Sequence, residues 1–165
     1  MGPLSNLAKF FLVLHVVMAV VMVGAGYAQP IVMANLKKGG PNRVPLMRVS
    51  KGIAQGFTLP FIVIQPITGL GLILTTHNLW NPFHSANRWL FAAIVLFAVL
   101  TVLDVFVSAP RIRRMHKLAE AGDYDGEVFE KDLALLGKVG PMLGILFLTI
   151  TVLMIWKPGA PDLHF

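Results

Sequence analysis

Three ionisable side chains lie inside long apolar stretches of this sequence: His15, Asp104 and Lys138. Such groups are expensive in an apolar environment, so each is a candidate for function until a structural role accounts for it. His15 sits in "FLVLHVVMAVVMVGAGYAQP", residues 11–30. A histidine there can ligate haem iron, since helical bundles hold such cofactors. It can equally stay neutral and hydrogen-bond to a polar side chain on a neighbouring helix. Asp104 and Lys138 carry opposite charges. Pairing would lower the cost of burying either, and would lock a bundle or serve a proton- or ion-handling role. Lys138 can also snorkel to the interface with no partner.

These chemistries need elements to position them, and the composition says which. The chain has 165 residues, of which 56% are hydrophobic and 13% charged. Mean hydropathy is +0.72. A chain this short has too much surface for its volume to hide that much apolar area from water, so its solvent is read as lipid. Four apolar runs follow, at about residues 7–30, 53–75, 89–110 and 133–156. Roughly 20 apolar residues cross a bilayer as a helix, and each run reaches that length. The runs are continuous rather than alternating, which argues against barrel strands. The expected fold is all-α: one polytopic domain, residues 1–165, of four transmembrane helices in an antiparallel bundle. "GYA" before Gln29 resembles a signal-peptidase site, but Lys9 is the only base ahead of the run, so a retained span is expected.

Orientation is set by lysine and arginine in short loops. The first loop holds Lys37, Lys38, Arg43, Arg48 and Lys51; the third connection holds Arg111, Arg113, Arg114, Lys117 and Lys131, with Lys138 at the start of the fourth span. Both are therefore expected in the cytoplasm, with both termini outside a bacterial inner membrane. Trp80, Phe83, Trp89 and Trp156 would form an aromatic belt on the outer side. In the third connection, "AGDYDGE" reads as a turn, with lipid-binding bases before it and solvating acids around it.

Depth, counted at about 1.5 Å per residue, sorts the polar residues into two layers. His15 shares the outer layer with Gln65, Thr68, Thr149 and Thr151. Asp104 and Lys138 share the inner one with Tyr27, Gln55 and Thr58, and Arg48 or Lys51 are further partners for Asp104. The small-xxx-small patterns "GIAQG" and "GPMLG" would let helices approach closely, within the chain or between chains. Pro60 and Pro66 interrupt the second span. There are no cysteines, and His77, His84, His116 and His164 share no ligand spacing, so no metal site is expected. No phosphate-binding loop, dinucleotide fingerprint or nucleophile triad is present.

"FLVLHVVMAVVMVGAG", "ITGLGLIL" and "RWLFAAIVLFAVLTVLDVFVSAPRIRRMHKLAEAG" resemble a bacterial family of four-span integral membrane proteins of unknown function. That family is distantly similar to the J-type protoporphyrinogen oxidases and the copper-resistance D-type membrane proteins. The resemblance places His15 where the oxidase-like proteins carry a first-span histidine associated with haem. It implies haem b as cofactor and His15 as an axial ligand. The expected function is an accessory or haem-associated subunit of a membrane complex. The alternatives are a small proton-coupled transporter acting as an oligomer, or a haem-dependent porphyrin oxidase. Partners would be the lipid bilayer, other membrane subunits or a second copy, and not nucleic acid.

Overall fold

The computed structural model describes residues 5–76 and 87–158. Four long helices account for nearly all of them: α1 Asn6–Leu36, α2 Arg43–Thr75, α3 Arg88–Glu120 and α4 Glu127–Trp156. Only 6–17% of the residues in each apolar window are buried within the chain. The outward surfaces carry Val13, Val20, Ile67, Phe106, Ile145 and Ile155. In water those faces would be a large uncompensated apolar area; in lipid they are solvated. The chain is an all-α, polytopic membrane bundle with four spans.

Neighbouring helices pack in a ring, α1 on α2, α2 on α3, α3 on α4, and α4 back on α1. Each helix is longer than a bilayer requires, and the excess lies at one end. There Val32, Met33, Leu36, Met47, Ile112, Met115, Phe129 and Leu133 form a buried core of their own. This end carries both basic connections. The helices run past the expected spans at this end: the apolar runs stop, but the packing continues.

Local chemistry explains the breaks. Ser5 caps α1 by accepting from the Ala8 amide at 3.1 Å. The first connection turns on Gly39 and Gly40, at φ +76° and +81°, where a side chain would be strained. The turn after α3 uses Gly122 at φ +85°. The Asp123 amide donates to the Leu118 carbonyl at 2.9 Å and the Gly122 amide to the Ala119 carbonyl at 3.2 Å, closing a Schellman motif.

α2 and α3 each contain one π-helical segment, Ala54–Thr58 and Leu103–Ser108. The Leu59 amide donates to the Ala54 carbonyl, and the Ala109 amide to the Asp104 carbonyl, five residues back in each case. A proline follows both: Pro60 and Pro110. Proline lacks an amide hydrogen and crowds the carbonyl four residues earlier. A wider turn relieves that crowding at Pro60 and Pro110 without breaking the helix, whereas Pro30, Pro66 and Pro141 have no π segment directly before them.

The two basic connections are clasped by Arg43, which is only 3% exposed. Its Nε donates to the Leu36 carbonyl at 2.8 Å. Its Nη1 lies 2.7 Å from the Tyr124 carbonyl, 2.8 Å from Asp125 Oδ1, and against the Glu130 carboxylate. The guanidinium also sits 5.1 Å from the centre of the Phe129 ring. Buried Asp132 pairs with Arg114 and, at 3.7 Å, with Arg111. Asp125 and Glu130 of the third connection thus join it to Arg43 of the first, while Arg111 and Arg114 pair with Asp132 and tie α3 to α4.

Candidate functional site

In the half of the bundle away from the basic end, His15 projects from α1 onto α2. Its Nδ1 is 2.9 Å from Thr68 Oγ1, and its Nε2 is 2.9 Å from Gln65 Nε2. Thr68 is 1% exposed, and its hydroxyl hydrogen is committed to the carbonyls of Ile64 and Gln65, both at 3.0 Å. The hydroxyl oxygen can therefore only accept from the ring, so His15 carries its proton on Nδ1. Nε2 then accepts from the Gln65 amide, and a neutral imidazole satisfies both partners. Gln65 Oε1 is left buried without a partner. Gly69 flanks the ring: a Cβ there would stand 3.4 Å from Cε1, an ordinary contact.

Thr149 and Thr151 do not join this group. Their hydroxyls donate to the carbonyls of Ile145 and Phe147 on their own helix, at 2.8 and 2.9 Å, and Thr149 faces outward. Counting residues fixed their height but not their rotation about α4.

Below His15, towards the basic end, an aromatic layer crosses the bundle. Phe61 is 2% exposed, and its ring centre lies 5.9 Å from that of Phe97 on α3 and 5.8 Å from that of Phe147 on α4. Asp104 is on the far side of this layer, in the π segment of α3. It lines a cavity of about 20 Å3 with Lys51, Ala54, Gln55, Leu59, Ala109, Ile112 and Arg113. The π segment of α2 supplies Ala54 and Gln55, so the two widened turns face one cavity. Among the described residues, no ion pair or hydrogen bond reaches the Asp104 carboxyl.

The expected Asp104–Lys138 pair is not formed. Lys138 is exposed and lines a different groove, with Lys37, Glu130, Leu133, Ala134 and Gly137. The two residues share a depth but sit on different sides of the bundle. Tyr27 points outward and takes no part in an inner polar layer. Trp89 is buried at 4% exposure beside Leu90, Ile73 and Met154, so it is not a belt residue, whereas Trp156 is exposed. Trp80, Phe83, His77, His84 and His164 lie outside the described residues. His116 is buried, with Nδ1 3.2 Å from Glu120 Oε2.

Three contributors had no clear signal in the sequence. Gln29 Nε2 donates to buried Ser50 Oγ at 2.8 Å, tying α1 to α2 near the basic end. Arg113 joins the Asp104 cavity from one turn beyond the apolar run. For these the only available cue was polarity at a span's edge.

An axial haem ligand must present a free ring nitrogen to the iron. His15 has both nitrogens engaged, one by a threonine whose own proton is spent and one by a glutamine amide. The Nε2 that an iron would need is held by the Gln65 amide, so haem ligation by His15 would require Gln65 to turn away. Among the described residues, no three His, Cys, Asp or Glu side chains group as metal ligands.

Residues 9–158 match the model of a family described as "Predicted integral membrane protein (DUF2269)". No curated protein and no solved structure matches the chain.

Proposed function

Since the chain belongs to that family of predicted integral membrane proteins, we propose that it is a proton-handling membrane subunit, with Asp104 as the group that takes up and releases the proton. The observation that carries this reading is the carboxyl's setting. It opens on a cavity of about 20 Å3 shared with Lys51, Gln55 and Arg113, and no fixed partner occupies it. A space of that size holds about one water. Water supplies a route for the proton, and the two flexible cations supply a counter-charge whenever the carboxyl ionises. A purely structural carboxyl would hold a steady partner, as Asp132 does with Arg114.

The backbone supports the same reading. Single π turns in α-helices occur disproportionately at functional sites, and here two of them line one cavity. The Phe61, Phe97 and Phe147 layer separates Asp104 from the His15 group. Access in this conformation is therefore from the basic end, and transfer across the bundle would require that layer to part.

A hydrophobic carbodiimide, which couples to protonated carboxyls, should label Asp104 in membranes. Labelling should fall as pH rises and vanish in Asp104→Asn. Infrared difference spectra across the same pH range should show one carboxyl C=O band that the variant lacks. Absence of both the label and the band at every pH would refute the proposal.

A second reading, a subunit held by lateral association, has its own support. Positions for a Cβ at Gly52, Gly56, Gly140 and Gly144 meet nothing within 4 Å. Neither small-xxx-small pattern is thus used for packing inside the chain, although such patterns commonly seat a second helix. Cysteine at Gly56 should give a crosslinked product in native membranes; absence of any adduct would count against it.

A further inference from the structure

We propose that the groove between the ends of α1 and α4 at the basic end binds the phosphate of an anionic lipid, with Lys37 and Lys138 as its cationic arms. The groove has a volume of about 330 Å3 and is lined by Lys37, Glu130, Leu133, Ala134, Gly137 and Lys138. That is within the size range of small-ligand sites.

Two lysine side chains line this groove, and its one acid is already paired outside it. The Lys37 side chain lies across α4 at Gly137, where a Cβ would stand 3.1 Å from Nζ and 3.3 Å from Cε. Lys138 is the next residue. Among the described residues neither lysine forms an ion pair. The groove's one carboxylate, Glu130, is taken by Arg43. Like charges in one cleft repel, and an anion between them removes the repulsion.

The wall of the groove favours a lipid over a free anion. Gly137, Gly140 and Gly144 recur at spacings of three and four, so they fall on one face of α4. At Gly140 and Gly144 a Cβ would meet nothing within 4 Å. The missing side chains leave open space on the α4 face beyond the groove, along which an acyl chain can lie. A basic pocket between spans at a membrane surface is a recognised setting for anionic headgroups. A free phosphate would have no use for that space.

The test is lipid binding by the purified full chain, read by native mass spectrometry with phosphatidylglycerol, phosphatidylcholine or inorganic phosphate. Phosphatidylglycerol should be retained in preference to phosphatidylcholine. The double variant Lys37→Gln/Lys138→Gln should weaken its binding roughly thirtyfold, given the typical contribution of each basic residue near an anionic surface. Gly137→Leu fills the groove without changing charge and should weaken it as well. Lys117→Gln, an exposed base at the same end but outside the groove, should leave it unchanged. Melting curves close to wild type would show that the variants fold. A double variant that keeps the wild-type preference overturns the site. Displacement of the lipid by an equal concentration of inorganic phosphate overturns the lipid as its ligand.

Discussion

Replacing His15 should cost more than its two hydrogen bonds, and replacing Gln65 as well should return part of that cost. Interhelical hydrogen bonds in membranes average about 0.6 kcal/mol and reach about 1.7, so the two bonds of His15 account for roughly 1–3. His15→Leu does a second thing. It strips the Gln65 amide of its only side-chain partner, while Gln65 Oε1 already lacks one. A buried polar group left unsatisfied costs about 1–3 kcal/mol. Thr68 suffers little, because its hydroxyl still donates to Ile64 and Gln65. The single variant should therefore lose about 2–6 kcal/mol, and Gln65→Leu less, since one bond is lost and one ring nitrogen is left without a donor. In the double variant both orphaned groups are gone, and the loss should be smaller than for His15→Leu alone, since removing both partners of a buried bond can be nearly neutral. The assay is a double-mutant cycle on unfolding in micelles, read by steric trapping. Nitrogen-15 resonances of the ring should show the proton on Nδ1. Additive losses, or a ring protonated on Nε2 alone, would refute the assignment of donors and acceptors.

Arg43→Met should destabilise the basic end by about 1–3 kcal/mol, mostly through the Tyr124 carbonyl left without a donor, since the Leu36 carbonyl still accepts from the Gly39 amide; Arg43→Lys should recover part of this. Amide exchange in residues 36–47 and 121–130 would report it, and wild-type protection in Arg43→Met would contradict it. Gly71→Ala puts a Cβ 2.6 Å from the Phe11 ring and should cost about 1–3 kcal/mol by overpacking. Gly24→Ala meets nothing within 4 Å and should be neutral or slightly stabilising, since alanine favours a helix by about 1 kcal/mol. Thermal melts of the two variants should separate in that order. Cysteines at Gly39 and Asp123 should both be labelled from the cytoplasmic side, as the basic connections demand; labelling of either from outside in intact cells would reverse the orientation.

The spans were legible because lipid imposes a length and a composition that few other environments do. Depth counting also brought His15 to the height of Gln65 and Thr68, which the structure places within hydrogen-bonding distance. The same counting misplaced Thr149 and mismatched Asp104 with Lys138, because height along a helix says nothing about rotation around it. Rotation is set by packing, and spans that are apolar on every side have little amphipathic pattern to reveal it. Pro60 was a visible cue to a distorted α2, but its pairing with Pro110 across one cavity depends on helix order, which the sequence does not state. Arg43 was hidden among five bases of one loop, and its acceptors on the other connection lie 81 to 87 residues away.

The Arg43 clasp also bears on the order in which the molecule can be completed. Chains are made from the N-terminus at about 5–20 residues per second. The bonds of His15 span 50 and 53 residues, so that contact closes as soon as the second span is in place. Arg43 must wait for Tyr124, Asp125 and Glu130, which precede or open the last helix. Until then its guanidinium has only the Leu36 carbonyl to bind. The first two spans thus form an early hairpin, fastened by His15 at one end and by the Gln29–Ser50 bond towards the other, with most of the Arg43 partners still missing. The fourth helix supplies them, so a chain truncated before residue 124 would keep the hairpin but leave a charged arginine in an unfinished core.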